Sequence, residues 1–300
     1  MIHIHNGDVI AAVARRAGIP GTHVAFRESL VTGPVIPGDD WLETRAQALA
    51  GTSGDDVLRV RTSLLEQEQM LEAAPGQGEI VLWFEHDLYC LVHLVYLLQR
   101  FGGAQLSMIW SPEPLTERDE EGLHLLFESR AAVTPKVLQL AADVWGAYAS
   151  TDPTRLNEVI DRANADFAFL REGLTLHASR FPSRANGLGS IERHVLELLS
   201  LGAVDFPAMF DSIGASIPRF GFTDRDILRL IRRLAGCDVP LITISGELPK
   251  ALLAITSAGE NVLRGEVNDL DVNAPDVWLG GAHLTSERQW IWTGSRIEPR

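Results

Sequence analysis

Three short segments hold the residues best suited to chemistry. They are "HIHNGD" at His3–Asp8, Arg27-Glu28, and Glu85-His86-Asp87. Asp87 is of the type that serves as a general acid or base, and His86 titrates near neutrality, where an adjacent carboxylate would raise its pKa. Asp8 is the third candidate catalytic residue, and it is equally placed to cap a following helix. Arg27 can grip a phosphate or carboxylate with two parallel N–H donors. Gly7 lets backbone approach a ligand, and a helix N-terminus just after it attracts anions. His3, Asn6, Glu28 and Ser111 complete the expected ligand-binding set. His3, His5, Asp8, His86 and Asp87 are also suitable zinc or manganese ligands, but His3 falls before the strand exit, where it is expected to be buried away from the edge, so no metal is assigned. Cys90 and Cys237 fit no metal or disulfide spacing and read as buried thiols. Walker-type, GxGxxG and GxSxG signatures are absent, so no cofactor is implied and no serine triad is supported.

The elements around these residues explain how they could meet. "IHIHNGD", "THVAFRESL", "EIVLWFEHD" and "AQLSMIW" read as four strands, the third almost continuously apolar, as for a strand buried on both faces. Helical patterns such as "VIAAVARRAGIPG" and "LYCLVHLVYLLQRFGG" lie between them. That alternation predicts an α/β fold, a small open parallel sheet with flanking helices, over residues 1–115. In such sheets ligands bind beyond the carboxyl ends of the strands, which is where Asn6-Gly7-Asp8, Arg27-Glu28, His86-Asp87 and Ser111 fall. A helical connector is expected over 116–179, opening with the polar "SPEPLTERDEEG" and carrying helix starts at Thr134-Pro135 and Thr151-Asp152-Pro153. Residues 180–300 read as a winged-helix-like α+β module, three helices followed by strand pairs, closed by a terminal hairpin.

Several of these stretches, in order, resemble a bacterial family that opens with a domain of unknown function. The stretches are "HIHNGD", "FRESLVTGPV", "LWFEHDLYCLVHL", "RFPSRANGLGSIERHVLELL", "ITSAGENVLRGE" and "DVWLGGAHL" with the later "WIW". His3, Asn6, Gly7, Asp8, Arg27, Gly33, Pro34, Trp83, His86 and Asp87 match the pattern. Aspartate is common in the family where Glu28 stands, and His5 is not a regular member. The departure is at Cys90 and Leu91, where the family has an acidic residue and a glutamine. The resemblance implies a fold and a site location; it implies no reaction.

Composition narrows the partners. The 300-residue chain is 46% hydrophobic and 22% charged, with a formal net charge of −14. Most of that charge falls in residues 1–179, which disfavours a phosphate-backbone partner there. The sequence contains no apolar run long enough to span a bilayer and no secretion-signal pattern at its start, so a cytoplasmic protein without membrane contact is expected. Trp41, Trp83, Phe84 and Trp110 read as core. "TDRDILRLIRRLAG" is the best candidate for nucleic acid, through Arg225, Arg229, Arg232 and Arg233. Asp224 and Asp226 occupy the end where base contacts are usually made, so contact with protein, including a second copy in a homodimer, is favoured over DNA. The expectation for function is a small anionic ligand, a nucleotide or phosphate ester, at the strand ends. Hydrolysis or group transfer is the implied reaction class, and the alternative is a ligand-sensing regulator that binds DNA.

Overall fold

The computed structural model describes residues 1–163 and 167–300, side chains 52 and 53 excepted. Its first half runs β1 (Ile2–Asn6), α1 (Asp8–Arg16), β2 (Thr22–Phe26), α2 (Trp41–Ser53), α3 (Val57–Ala73), β3 (Ile80–Glu85), α4 (Leu88–Arg100), β4 (Leu106–Ser111), α5 (Glu120–Glu128) and β5 (Ala131–Ala132). The five strands form one sheet in the order β2-β1-β3-β4-β5. The first four are parallel; β5 runs antiparallel to β4 at the edge.

Side-chain alternation along the strands builds two apolar faces. On β3, Ile80, Leu82 and Phe84 join the larger core with α4, whereas Val81 and Trp83 pack with Ile10 and Ala14 of α1 and Leu123 of α5. A sheet covered on both faces needs such continuous apolar strands. The α4 helix is buried almost all round, with Leu91, Leu94 and Leu98 fully removed from solvent. Each such leucine contributes roughly 1.5–3 kcal/mol.

From β1 the chain steps to β2 on one side, and β3 lies on the other. The helices that follow β1 and β3 cover opposite faces of the sheet. This reversal leaves a crevice between the ends of β1 and β3, the usual ligand position in such sheets. In-register pairing sets Asn6 beside Phe26 and Glu85 beside Ser111, so the strand ends share one rim.

The second half contains α6 (Pro135–Tyr148), α7 (Arg155–Arg162), α8 (Leu170–Ala178), α9 (Ser190–Ser200), β6 (Val204–Asp205), α10 (Phe206–Ser216), α11 (Asp224–Gly236), β7 (Ile242–Ser245), β8 (Leu252–Ile255), α12 (Ser257–Leu263) and α13 (Asp269–Val272). It ends in β9 (Val277–Leu279), β10 (Ala282–Leu284), β11 (Trp290–Trp292) and β12 (Ile297–Pro299). A small antiparallel sheet has the order β6-β8-β7. Thr134 caps α6, its side chain accepting from Val137 N, with Pro135 in the first turn. Several details differ from the sequence reading: a fifth strand, β5, joins the sheet from within the stretch read as a helical connector, and α7 starts at Arg155 after Thr154, not at Thr151-Asp152-Pro153. The polar stretch after β4 is anchored by buried Leu115 and already contains the start of α5, capped by Asp119. The terminal segment forms two antiparallel hairpins, β9–β10 and β11–β12, in place of one. One apolar core runs from Ile2 and Leu94 through Tyr148 to Val195, Ile227 and Leu284.

Candidate functional site

A cavity of about 640 Å³ opens at the ends of β1, β2 and β3. Asn6, Gly7, Arg27, Glu85, His86 and Asp87 line its floor. Arg219, Gly221, Phe222 and Thr223, from the turn before α11, form its roof.

Gly7 is the cap residue of α1, at φ 92° and ψ 174°, and no side chain caps that helix. Asp8 was expected to do so. It is instead the first helical residue, and its carboxylate turns to Arg27, with Nε–Oδ2 at 2.8 Å and Nη2–Oδ1 at 2.6 Å. The bond to the guanidinium holds the Asp8 carboxyl below the usual carboxylate range and raises the pKa of Arg27. Both partners are exposed. The start of α1 is thus uncapped, and Gly7 just before it lines the cavity together with Arg27, whose guanidinium is shared with Asp8.

Asp87 caps α4, accepting a hydrogen bond from Cys90 N at 2.6 Å. Gly221 packs on its carboxylate so closely that a Cβ there would lie 2.6 Å from it, and at φ +65° the position favours glycine regardless. Burial, with Glu85 nearby, pushes the Asp87 carboxyl up to about 7. It can therefore both give and take a proton at neutral pH. Burial also raises the Glu85 carboxyl, although that side chain accepts from Leu115 N at 2.6 Å.

Behind these acids runs a chain of defined hydrogen bonds. Leu30 N donates to His93 Nε2 at 3.2 Å, which leaves Nδ1–H to donate to Asn6 Oδ1 at 3.2 Å. Asn6 Nδ2 then donates to Cys90 Sγ at 2.9 Å. Asn6 thus lines the cavity while its amide is spent on holding the end of β1 to α4. Among the described residues, Glu85, Asp87 and Cys90 form the group whose ligand atoms, one from each, lie within 4.8 Å of one another and could hold a metal. Burial keeps the Cys90 thiol protonated, so a cation there would first have to displace that proton.

His86 lies against Trp110 at 4.6 Å and Phe169 at 5.4 Å between ring centroids. Its carbonyl accepts from Arg219 Nη1 at 2.8 Å. Burial, helped by Arg219, lowers its pKa to about 4. This reverses the expected upward shift: the charged neighbour that matters is a guanidinium, and the imidazole is neutral at pH 7.

The remaining expected site residues lie outside the cavity. His3 and His5 are fully buried on the α1 face of β1. Trp83 Nε1 donates to His3 Nδ1 at 3.0 Å, and His3 Nε2 donates to Pro20 O at 3.0 Å. His5 Nε2 meets His23 Nδ1 at 2.9 Å, and His23 Nε2 donates to Ile19 O at 2.9 Å. Burial lowers His3 to about 4 and His5 to about 2, so this is a neutral imidazole stack inside the sheet packing. Glu28 is buried against the fully buried Arg45, 2.6 Å away. Ser111 is buried, its hydroxyl donating to Glu113 O at 2.7 Å. Arg219, Gly221, Phe222 and Thr223 escaped sequence reasoning because nothing local links "PRFGFT" to a strand end far away in the chain. Its only signal was a glycine and an arginine in an otherwise apolar turn.

With the site's geometry in view, comparisons with known proteins add no relative: no family model matches the chain, and no curated protein matches it.

Proposed function

We propose that the strand-end cavity binds a small ligand carrying an oxyanion, a nucleotide or phosphate ester, and that Asp87 exchanges a proton with it in a hydrolysis or group transfer. One observation carries this reading: the uncapped start of α1 and Arg27 share a 640 Å³ cavity with a carboxyl whose pKa lies at about 7. An oxyanion seated at Gly7 gains from the helix N-terminus and competes with the Asp8 carboxylate for the Arg27 guanidinium. Arg219 adds a second cation at the roof. His86 contributes a neutral imidazole wall whose buried Nε2 has no hydrogen-bond partner among the described residues.

Kinship with the bacterial family is part of the same proposal, supported by the fall of "HIHNGD", "FRES" and "FEHD" at the strand ends. The connectivity α9-β6-α10-α11-β7-β8 supports a winged-helix reading of the later region. Arg225 of its third helix lies 3.6 Å from Asp55, and Arg233 pairs with Glu192, so these cations answer acids of the chain itself. Asp224 and Asp226 in the first turn of that helix, where base contacts are usually made, weigh against DNA.

The test is thermal shift across nucleotides and phosphate esters for wild type, Arg27→Ala and Asp87→Asn, followed by turnover assays on each stabilising compound. The expected result is a shift in wild type and Asp87→Asn that Arg27→Ala loses, with turnover lost in Asp87→Asn. Equal shifts in all three proteins, or full turnover by Asp87→Asn, would refute the reading.

A further inference from the structure

Residues 218–223, "PRFGFT", cross from α10 to α11 and roof the strand-end cavity. They hold one tight helical turn, Pro218–Phe220, closed by Gly221 in the left-handed conformation at φ 65°. Phe220 is buried, whereas Arg219 beside it is exposed. Arg219, Gly221 and Phe222 seat the roof on the parts around it. Arg219 Nη1 donates to His86 O at 2.8 Å, and its guanidinium lies 5.5 Å from the Phe169 ring centroid. Gly221 rests on the Asp87 carboxylate, where the position of a Cβ is 2.6 Å from both Cγ and Oδ1. The Phe222 ring centroid lies 5.0 Å from the Arg180 guanidinium.

These attachments differ in strength. The bond from Arg219 to His86 O is open to solvent, so water replaces either partner at little cost. Gly221 brings no side chain to Asp87, and the two meet through close contact that a small backbone shift breaks. The far end of the segment is tied more firmly. Thr223 N and the Thr223 hydroxyl donate to Asp226 Oδ2 at 3.0 and 2.7 Å, and Asp226 N donates back to Thr223 Oγ1 at 3.3 Å, the capping box of α11. Asp226 Oδ1 also accepts from Ser29 Oγ at 3.2 Å, which fastens the start of α11 to the loop after β2. Phe220 in the core is thus a pivot, and a weakly held stretch beside it covers Asp87. A short element that turns about fixed ends is the ordinary build of a hinge.

We infer that residues 218–223 are a lid on the strand-end cavity, seated closed on Asp87, latched by the bond from Arg219 to His86 O, and lifting to let a ligand reach that carboxyl. The inference rests on the reading of the cavity as a binding site. Because Thr223 caps α11, lifting also loosens the first turn of that helix and carries the state of the cavity into the later region.

Two readouts on the unliganded wild type, Arg219→Met and Phe222→Ala test the lid, each protein first checked for a wild-type melting transition. Labelling with a carbodiimide and glycine ethyl ester, mapped by peptide mass spectrometry, reports access to Asp87. Hydrogen exchange reports the amides of Gly221, Asp226 and Ile227, which are bonded to Pro218 O, Thr223 Oγ1 and Thr223 O. Arg219→Met keeps an aliphatic stem over Phe169 and removes the latch. It should raise labelling of Asp87 threefold or more relative to the exposed Glu72, and exchange at those amides tenfold or more, with Leu82 and Phe84 of β3 unchanged. Phe222→Ala should do the same. Unchanged Asp87 labelling in both variants overturns the lid, as does an equal rise in exchange at Leu82 and Phe84, which would be general loosening. Thermal shift with AMP and inorganic phosphate separates the two readings. A roof that opens over a cavity binding neither probe counts against the binding reading and not the lid, whereas a cavity that binds while Asp87 labelling stays fixed in both variants refutes the lid alone.

Discussion

Glu28 and Asp87 are both acids at strand ends, and the fold gives them opposite roles. Glu28 is enclosed with Arg45, and Arg45 also donates to the carbonyls of Ser29, Thr32 and Pro34. That cation pins the loop from β2 to α2. Replacing it with an apolar side chain strands a buried carboxylate. Arg45→Met should therefore cost about 3–5 kcal/mol in urea unfolding, and the double change Glu28→Gln with Arg45→Met should recover part of the loss. Asp87 faces a cavity with no guanidinium bonded to its carboxylate, and its proton is held near neutrality by burial. Sequence could name both residues as candidates, since each follows a strand. It could not sort them, because the partner of one lies in the next helix and the environment of the other depends on Gly221.

At the scale of elements, the turn from β1 to α1 carries the most weight. Gly7 takes a left-handed φ with open space around its Cα, so a methyl group there would meet no atom and the cost of alanine is conformational alone. Gly7→Ala should destabilise the protein by about 1–3 kcal/mol and weaken oxyanion binding at the strand ends. Gly38→Ala, also in open space but without positive φ, should stay within about 0.5 kcal/mol in the same urea experiment. The strand and helix at this turn were legible from alternation and periodicity in "IHIHNGDVIAAVARRAG". The capping role was misassigned to Asp8, because aspartate is a common cap. Positive φ at Gly7 moves the cap one residue earlier and frees the carboxylate for Arg27.

Across the whole molecule, buried imidazoles set the response to acid. Burial lowers His3 to about 4, His5 to about 2, His93 to about 3, and His177 well below its ordinary value of 6.5. Unfolded, each takes up a proton as pH falls below 6.5; folded, each resists until its own lowered value. Stability should therefore be level above pH 7 and fall from pH 6.5 toward 5, each histidine contributing up to about 1.4 kcal/mol per pH unit. Asp87 works the other way between 7 and 4, since its folded form keeps the proton, and Glu85 and Asp269, also raised by burial, act with it; the lowered histidines, which include His23 and His86, outnumber these three. A urea midpoint that stays constant from pH 7 to 5 would contradict this account. The sequence by itself determined the parallel strands and their helices, because apolar spacing dictates which faces must be buried. It also placed Asn6, Arg27 and His86 at one edge of the sheet, because parallel connections put every strand-to-helix turn at the same end. The tertiary structure alone decided which polar residues stay at that edge and which are enclosed. Burial, pairing and pKa depend on neighbours brought from distant segments, Arg45 beside Glu28, Trp83 beside His3 and Gly221 over Asp87, and no local pattern encodes those meetings.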